Sequence, residues 1–345
     1  MPSEPLDTPA QSRASIHIFN GFTNLHGGSE LEALTLHDLL REHSAVNLWA
    51  SSSRVAQVLL DRFPIRRIAP GTRRTPNGGT YIFIGAHWRN KLWPYLVTKP
   101  SRLIYVYNTF HPKVIGLTSQ MPRLLGWPAA EYVMISDFQK RLVRLPGPVQ
   151  VHPSPIDIDR FSPQPRPRGS PVVIGRMSRD APDKHDPDDI ALYHALAQQG
   201  HAVRLQGATC IAGVLHDDRP NAPLIAATPE GQQPAQDFLR ALDIFYYRSG
   251  VHVETFGRVV FEAMACALPV VCHAHGGYAD WIRHGENGFL FQTTAEARQI
   301  LAMLIADRGL CRRIGAAARA TVETMYAPAA LQERAAFYLG SERYR

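Results

Sequence analysis

Residues 243–274 read DIFYYRSGVHVETFGRVVFEAMACALPVVCHA. An apolar strand (DIFYYRS), a helix (FGRVVFEAMACA) and a second strand (LPVVCHA) follow one another, the order of a parallel βαβ unit. The same grammar extends upstream. PVVIGRM (171–177), HAVRLQGA (201–208) and PLIAAT (223–228) read as strands, and IALYHALAQQG (190–200) and QDFLRAL (236–242) as helices. Downstream, EARQILAMLIAD (296–307) and LCRRIGAAARATVETM (310–325) read as helices.

The first half repeats the pattern. SIHIF (15–19), VNLWAS (46–51), TYIFIGA (80–86), RLIYVYN (102–108) and EYVMIS (131–136) are strand candidates, and DFQKRLVRL (137–145) is a helix. SELEALTLHDLLREH (29–43) is another, with Ser29 and Glu32 at capping-box spacing and Leu31, Leu34 and Leu39 on one face. The stretch from Leu145 to Pro171 carries eight prolines, which predicts an irregular linker and a domain boundary near residue 165. The expected architecture is α/β: two facing doubly wound domains with an interdomain cleft. Residues 1–14 would be a flexible N-terminus, 15–165 the first domain and 166–325 the second. Residues 326–345 would be a C-terminal helix crossing back.

Composition narrows the function. The chain has 345 residues and a net charge of +7, and only five of its 37 cations are lysines. Residues 1–165 hold 18 Lys and Arg against 11 Asp and Glu, whereas residues 166–345 hold 19 of each. A surplus confined to one half suggests either an acidic partner or an ordinary solvated surface. The four cysteines, Cys210, Cys266, Cys272 and Cys311, form no C-x-x-C pair and fit a reducing compartment. The polar N-terminus lacks the apolar core of a secretory signal, and no run of 18 apolar residues exists to span a membrane. No G-x-G-x-x-G follows the first strand and no P-loop occurs, which argues against dinucleotide and P-loop nucleotide binding.

Other loops could still hold phosphates. HGGSE (26–30) joins the first strand to its helix; its glycines allow close backbone approach, and the helix start offers amides to an anion. GRMSRDAPDK (175–184) projects Arg176, Arg179 and Lys184 from one strand end, and Lys184 is the sole lysine after residue 165. Arg clamps a diphosphate by forks and Lys by point charge, although Asp180, Asp183 or Asp186 could simply pair with these cations. Glu254 precedes the 256–267 helix and Glu262 lies within it beside Val260, Phe261 and Met264. A carboxylate among such neighbours suggests a cleft-facing group that accepts hydrogen bonds from sugar or ribose hydroxyls. HAHGGYADWIRHGENGFLF (273–291) adds a glycine turn, Gly276–Gly277, at a strand end and a second turn at Asn287–Gly288.

Together these residues resemble the family-4 retaining glycosyltransferases of the GT-B fold. The resemblance rests on E-x7-E (Glu254, Glu262), the GR…K element (Arg176, Lys184), GGYADWIRHGENGFL, HPSPIDIDRF (152–161) and YVMISDFQKRL. HGGSE resembles the family's N-terminal glycine loop. The resemblance spans about residues 15–325 and is strongest after residue 150. It implies an NDP-sugar donor, a glycan or glycolipid acceptor, no metal, no other cofactor and no nucleic acid. Arg176 and Lys184 would bind the donor diphosphate, with Arg179 an additional cation. Glu262 would hold the ribose. Glu254, Phe256 and Gly257 would line the sugar and phosphate site, and Gly27 and Gly28 would approach from the first domain. Asp157-Ile-Asp159 mimics the metal-binding D-x-D of a different fold. The family's histidine near the reacting sugar falls to His111, with His87 the alternative. No evident nucleophile is present, so front-face attack with retention is expected. A GT-B sugar-nucleotide epimerase or phosphorylase, and an inactive binding protein, are the competing readings. The location implied is the cytoplasm, with possible peripheral contact at an anionic membrane face.

Overall fold

The computed structural model describes residues 15–25, 27–69, 71–72, 74–85, 96–108, 123, 126–145, 147–164, 171–215 and 224–341. The chain divides into two compact units. One comprises Met1–Val133, Leu145–Gln150 and Glu333–Arg345, the other Met134–Arg144 and Val151–Gln332.

The first unit is built on a seven-stranded sheet. Its strands are β1 (Ile16–Asn20), β2 (Val46–Ala50), β3 (Ile65–Arg67), β4 (Thr80–Ile84), β5 (Arg102–Tyr107), β6 (Ala130–Met134) and β7 (Val149–Val151). They are ordered β3-β2-β1-β4-β5-β6-β7. β1 pairs in parallel with both β2 and β4, so the winding direction reverses there. Side chains alternate between the sheet faces. Ile16, Ile18, Leu48, Ile82 and Ile104 pack with α1 (Gly28–Leu40) and with Ala335, Phe337 and Tyr338 of the C-terminal helix. Phe19, Trp49, Tyr81, Phe83, Tyr105 and Tyr132 form an aromatic layer on the opposite face.

The second unit carries six strands: β8 (Val173–Met177), β9 (Ala202–Gln206), β10 (Ile225–Thr228), β11 (Ile244–Tyr247), β12 (Val270–His273) and β13 (Phe289–Phe291). Their order, β10-β9-β8-β11-β12-β13, is the doubly wound dinucleotide-fold order. In chain order its helices are α4 (Asp189–Gln198), α5 (Ala212–Leu215), α6 (Ala235–Arg240), α7 (Arg258–Ala265), α8 (Thr294–Ala306) and α9 (Arg308–Met325). α6, α7 and much of α9 cover one face of the sheet, and α4 and α8 the other. The remaining helices are α2 (Gln57–Arg62), α3 (Asp137–Leu142) and α10 (Pro328–Leu339).

Three expectations need correction. The proline-rich stretch is not irregular throughout: β7 lies within it, at a sheet edge, where a flanking Pro148 costs no ladder bond. Its later part is stitched to the second unit. Arg319 donates to the carbonyls of Ile158 and Phe161 at 2.8 and 3.0 Å, and Tyr326 donates to Ser154 O. The change of unit therefore falls at residues 133–151, not at 165, and α3 belongs to the second unit because Asp280 anchors its start. The capping box is not formed. Gly27 is the N-cap, Ser29 donates to Glu30, and Leu36 and Leu40 are buried with Leu34 while Leu31 and Leu39 are half-buried.

The chain rejoins the first unit from Glu333. Arg102 fastens it there. Its guanidinium is bidentate to Glu131 at 2.6 and 2.7 Å, and it donates to the carbonyls of Phe337 and Tyr338 at 2.7 and 3.0 Å. It thus satisfies carbonyls that α10 leaves open at its end. Arg102→Met is expected to destabilise the first unit by about 1–3 kcal/mol, the usual size for loss of charge-assisted hydrogen bonds. Hydrogen exchange should accelerate over residues 333–339. Arg102→Lys should recover only part of the loss, since it has no fork.

Candidate functional site

In the second unit the strand order reverses between β8 and β11, and such folds receive ligands outside the carboxyl ends of the strands at that point. Two loops leave those ends. The β8 loop contains a short 3-10 turn, Pro182–Lys184. The β11 loop, from Arg248 to Gly257, leads into α7. Their backbones are joined: His252 N donates to Asp183 O at 3.1 Å.

Lys184 and Glu254, seventy residues apart, meet between these loops. The Lys184 ammonium donates to Glu254 Oε1, and their side chains are only 7% and 12% exposed. Tyr247 donates to the same oxygen at 2.6 Å, Ser249 does so at 3.4 Å, and His252 lies 4.0 Å away. Burial pushes the Glu254 carboxyl up, but Lys184 and the hydrogen bonds outweigh it and hold Glu254 ionised, below the usual carboxylate range.

Arg176 sits beneath this pair and is 1% exposed. It donates to Arg248 O at 2.8 Å and Lys184 O at 2.6 Å, and its guanidinium lies 5.2 Å from the Tyr247 ring centroid. One guanidinium thus ties both loops through their carbonyls. The expected direct clamp on a diphosphate does not fit this geometry, because β8 turns Arg176 into the protein. A further buried charge supports it. Arg248 donates to Asp189 Oδ1, the first residue of α4, at 3.0 and 2.6 Å, and Tyr246 donates to that oxygen at 2.6 Å. Arg179 is exposed and lies 3.8 Å from Asp183.

Gly257 starts α7 with φ +83°, and a Cβ there would come 2.4 Å from the Tyr278 ring. No side chain caps the helix start, so its first amides remain available. Gly277 N donates to Glu254 O at 2.9 Å and fixes the β12 loop beneath. Phe256 departs from expectation. It is 2% exposed and stacks on Phe261 at 4.2 Å, so only its backbone can line the site. Glu262 is buried on α7, with Arg258 at 3.5 Å and Arg160 as a second nearby cation; burial pushes its carboxyl up and the arginines oppose this only partly. It is not joined to the Lys184–Glu254 pair.

In the first unit, the space that Gly27 leaves is filled by the Glu30 carboxylate, which a Cβ there would meet at 2.1 Å. Glu30 accepts from Thr23 N, Thr23 Oγ1 and Ser29 Oγ at 3.1, 3.2 and 2.7 Å. The glycine turn therefore accommodates the protein's own carboxylate, and Gly28 lies exposed in the first helical turn. His111 and His87 lie outside the described residues. Asp157 accepts from Arg160 N within a turn. Sequence reasoning missed Tyr247, Arg248, Asp189 and His252. The available signal was YYRS at the end of a strand bordering the point where the winding reverses.

Residues 231–321 match the family model for glycosyl transferases group 1, a segment that includes Glu254, Gly257 and Glu262. HepE of Anabaena, solved with UDP and glucose, aligns with a TM-score of 0.67 at 18% identity, covering 95% of this chain and 100% of HepE. The fold is GT-B. D-inositol 3-phosphate glycosyltransferase of Xylanimonas cellulosilytica is 28% identical over 209 residues, 52% of this chain and 49% of that protein. GDP-mannose-dependent alpha-mannosyltransferase of Mycobacterium tuberculosis is 34% identical over 152 residues, 39% and 36% of the two chains. The chain spans half or less of the length of these curated relatives.

Two outcomes follow from the buried charges. Glu254→Leu should cost about 3–5 kcal/mol, because it leaves Lys184 buried without its counter-ion, and adding Lys184→Met should restore much of the loss. Denaturant melts of both variants check this. His185 Nε2 donates to Gly207 O at 2.8 Å, and its pKa is pushed down from 6.5 to about 4, first by burial and then by Arg176. The unfolded chain therefore binds the proton first, and this residue lowers stability as pH falls from 6.5 toward 4. His185→Gln should flatten the denaturant-midpoint curve over that range.

Proposed function

We propose that this chain is a retaining, family-4 type glycosyltransferase that moves a sugar from an NDP-sugar to an acceptor hydroxyl in glycan, polysaccharide or glycolipid synthesis. The observation that carries the reading is the buried Lys184–Glu254 pair. It sits where the fold receives ligands, beside the uncapped start of α7.

In this reading Lys184 exchanges part of its bond with Glu254 for the donor diphosphate, and the α7 amides at Gly257–Val259 receive the same group. Glu254, released from Lys184, accepts hydrogen bonds from the donor sugar. Glu262 receives the ribose hydroxyls. Arg176 positions both loops, and Arg179 supplies a flexible outer charge. The sugar–phosphate C–O bond breaks as the acceptor oxygen attacks the same face. The acceptor proton passes to the departing phosphate oxygen. The charge that develops on that phosphate meets Lys184 and the helix start, so the chemistry requires no metal. His111 remains the candidate beside the reacting sugar. The enzyme would act in the cytoplasm. Among the described residues no helix is long and apolar enough to cross a membrane.

HepE's UDP and glucose, and the GDP-mannose in the name of the mycobacterial relative, select UDP-glucose and GDP-mannose as first donors to try. The expected result is nucleoside diphosphate release that depends on an acceptor and persists in EDTA. Lys184→Ala should lower kcat by about 10²–10³, the loss usual for one group stabilising a developing oxyanion. Glu262→Ala should mainly raise the donor KM. An altered free sugar nucleotide would instead identify an epimerase, and a sugar 1-phosphate a phosphorylase. No turnover of any NDP-sugar, with Glu262→Ala binding donors as well as the parent protein, would overturn the reading.

A further inference from the structure

A second site lies in the first unit, beside the edge strand β3 and its neighbour β2. Trp49, Leu60, Ile65, Arg66, Arg67 and Arg74 enclose a pocket of about 450 Å³. The sequence explains why it forms. β3 is the sheet edge, and its register sets Arg66 opposite Trp49 and Arg67 opposite Ala50. The α2 helix supplies Leu60 and the strand supplies Ile65. The turn after β3 returns Arg74, whose carbonyl accepts from Ala69 N at 3.0 Å. The result is an apolar floor with a cationic rim.

Among the described residues, no ion pair joins Arg66, Arg67 or Arg74 to a carboxylate. Asp61, the acid on neighbouring α2, instead accepts from Gln57 at 2.7 Å. Arg66 lies 5.8 Å from the Trp49 ring centroid, and the Trp49 indole is fixed from behind by donation to His17 Nδ1 at 2.8 Å. Three guanidiniums on one pocket repel one another unless an anion joins them, and planar forks match the oxygens of a phosphate. The apolar floor favours a ligand that also has a ring or hydrocarbon body.

We infer that this pocket binds a phosphomonoester, its phosphate across Arg66, Arg67 and Arg74 and its organic part against Trp49, Leu60 and Ile65. The pocket is built from residues other than the Lys184–Glu254 pair, and the inference does not depend on the glycosyltransferase reading. It also gives a location to part of the positive surplus of the first 165 residues. The phosphate could be carried by a soluble molecule or displayed on a lipid headgroup.

Phenyl phosphate, which contains neither sugar nor nucleotide, is the soluble probe, read by thermal shift and by tryptophan fluorescence. Vesicles of phosphatidylcholine with and without phosphatidic acid form the lipid arm. The expected result is saturable binding in at least one arm that weakens as salt rises. Arg66→Gln/Arg67→Gln/Arg74→Gln should reduce it by at least about tenfold, the weight of one charge-assisted hydrogen bond. Lys184→Ala should leave it unchanged. Binding of phenyl phosphate without vesicle binding assigns a soluble ligand, and vesicle binding that requires phosphatidic acid assigns a headgroup. The three arginines are exposed. The triple variant is therefore expected to keep the parent melting temperature, and Arg74→Gln alone provides a milder check with partial loss. Absence of saturable binding in both arms would overturn the inference, as would binding that survives the triple substitution or disappears with Lys184→Ala.

Discussion

The second unit is organised around one buried ion pair, Lys184 with Glu254. Removing both charges from water costs several kcal/mol each, and attraction offsets that only when further hydrogen bonds complete the geometry. Here they do. Tyr247 donates to the carboxylate, and Arg176 binds the Lys184 carbonyl from below. A hydrophobic pair of similar size would fold at least as well. An ion pair at this position has a use that a hydrophobic pair lacks: an incoming anion can take over Lys184 and leave Glu254 to receive hydroxyl groups.

The supporting residues form a sequence of contacts. Asp189, at the start of α4, holds Arg248; the Arg248 carbonyl receives Arg176; and Arg176 reaches the Lys184 carbonyl. The Arg176–Arg248 contact joins β8 to the end of β11, and the other two tie the β8 loop and the start of α4 to it. The positions of two long loops therefore depend on two buried guanidiniums rather than on regular structure. Replacing either Arg176 or Arg248 by Lys would keep a charge but lose the fork that spans two partners.

The sheet centres were legible in the sequence because strands such as TYIFI and IFYY are apolar on both faces. β3, β7 and β13 were not. Each has three residues and lies at a sheet edge, defined by pairing to a neighbour rather than by its own pattern. Lys184 and Glu254 were legible as residue types in loops that follow strands, and Gly257 and Glu262 as residues at the start of and within the helix after Glu254. What could not be read was direction. Nothing local distinguishes an Arg176 that faces solvent from one whose hydrogen bonds go to two carbonyls. The same holds for Phe256, which turns onto Phe261. Gly27 was read as room for a ligand, but the space is taken by Glu30, a choice made by Thr23 and Ser29 in the folded loop.

The first unit adds a contrasting electrostatic design. Its arginines at Arg66, Arg67 and Arg74 are exposed around a pocket, whereas Arg176 and Arg248 of the second unit are buried and bonded to carbonyl and carboxylate oxygens. The charge surplus therefore lies in the first half of the chain, and the donor site is proposed from residues of the neutral half. The most direct test is a crystal structure with UDP. The expected result is a diphosphate within hydrogen-bond distance of Lys184 Nζ and the α7 amides, with Glu254 withdrawn from Lys184 and Arg176 still on its two carbonyls. A diphosphate bound elsewhere, with the Lys184–Glu254 pair intact, would contradict it.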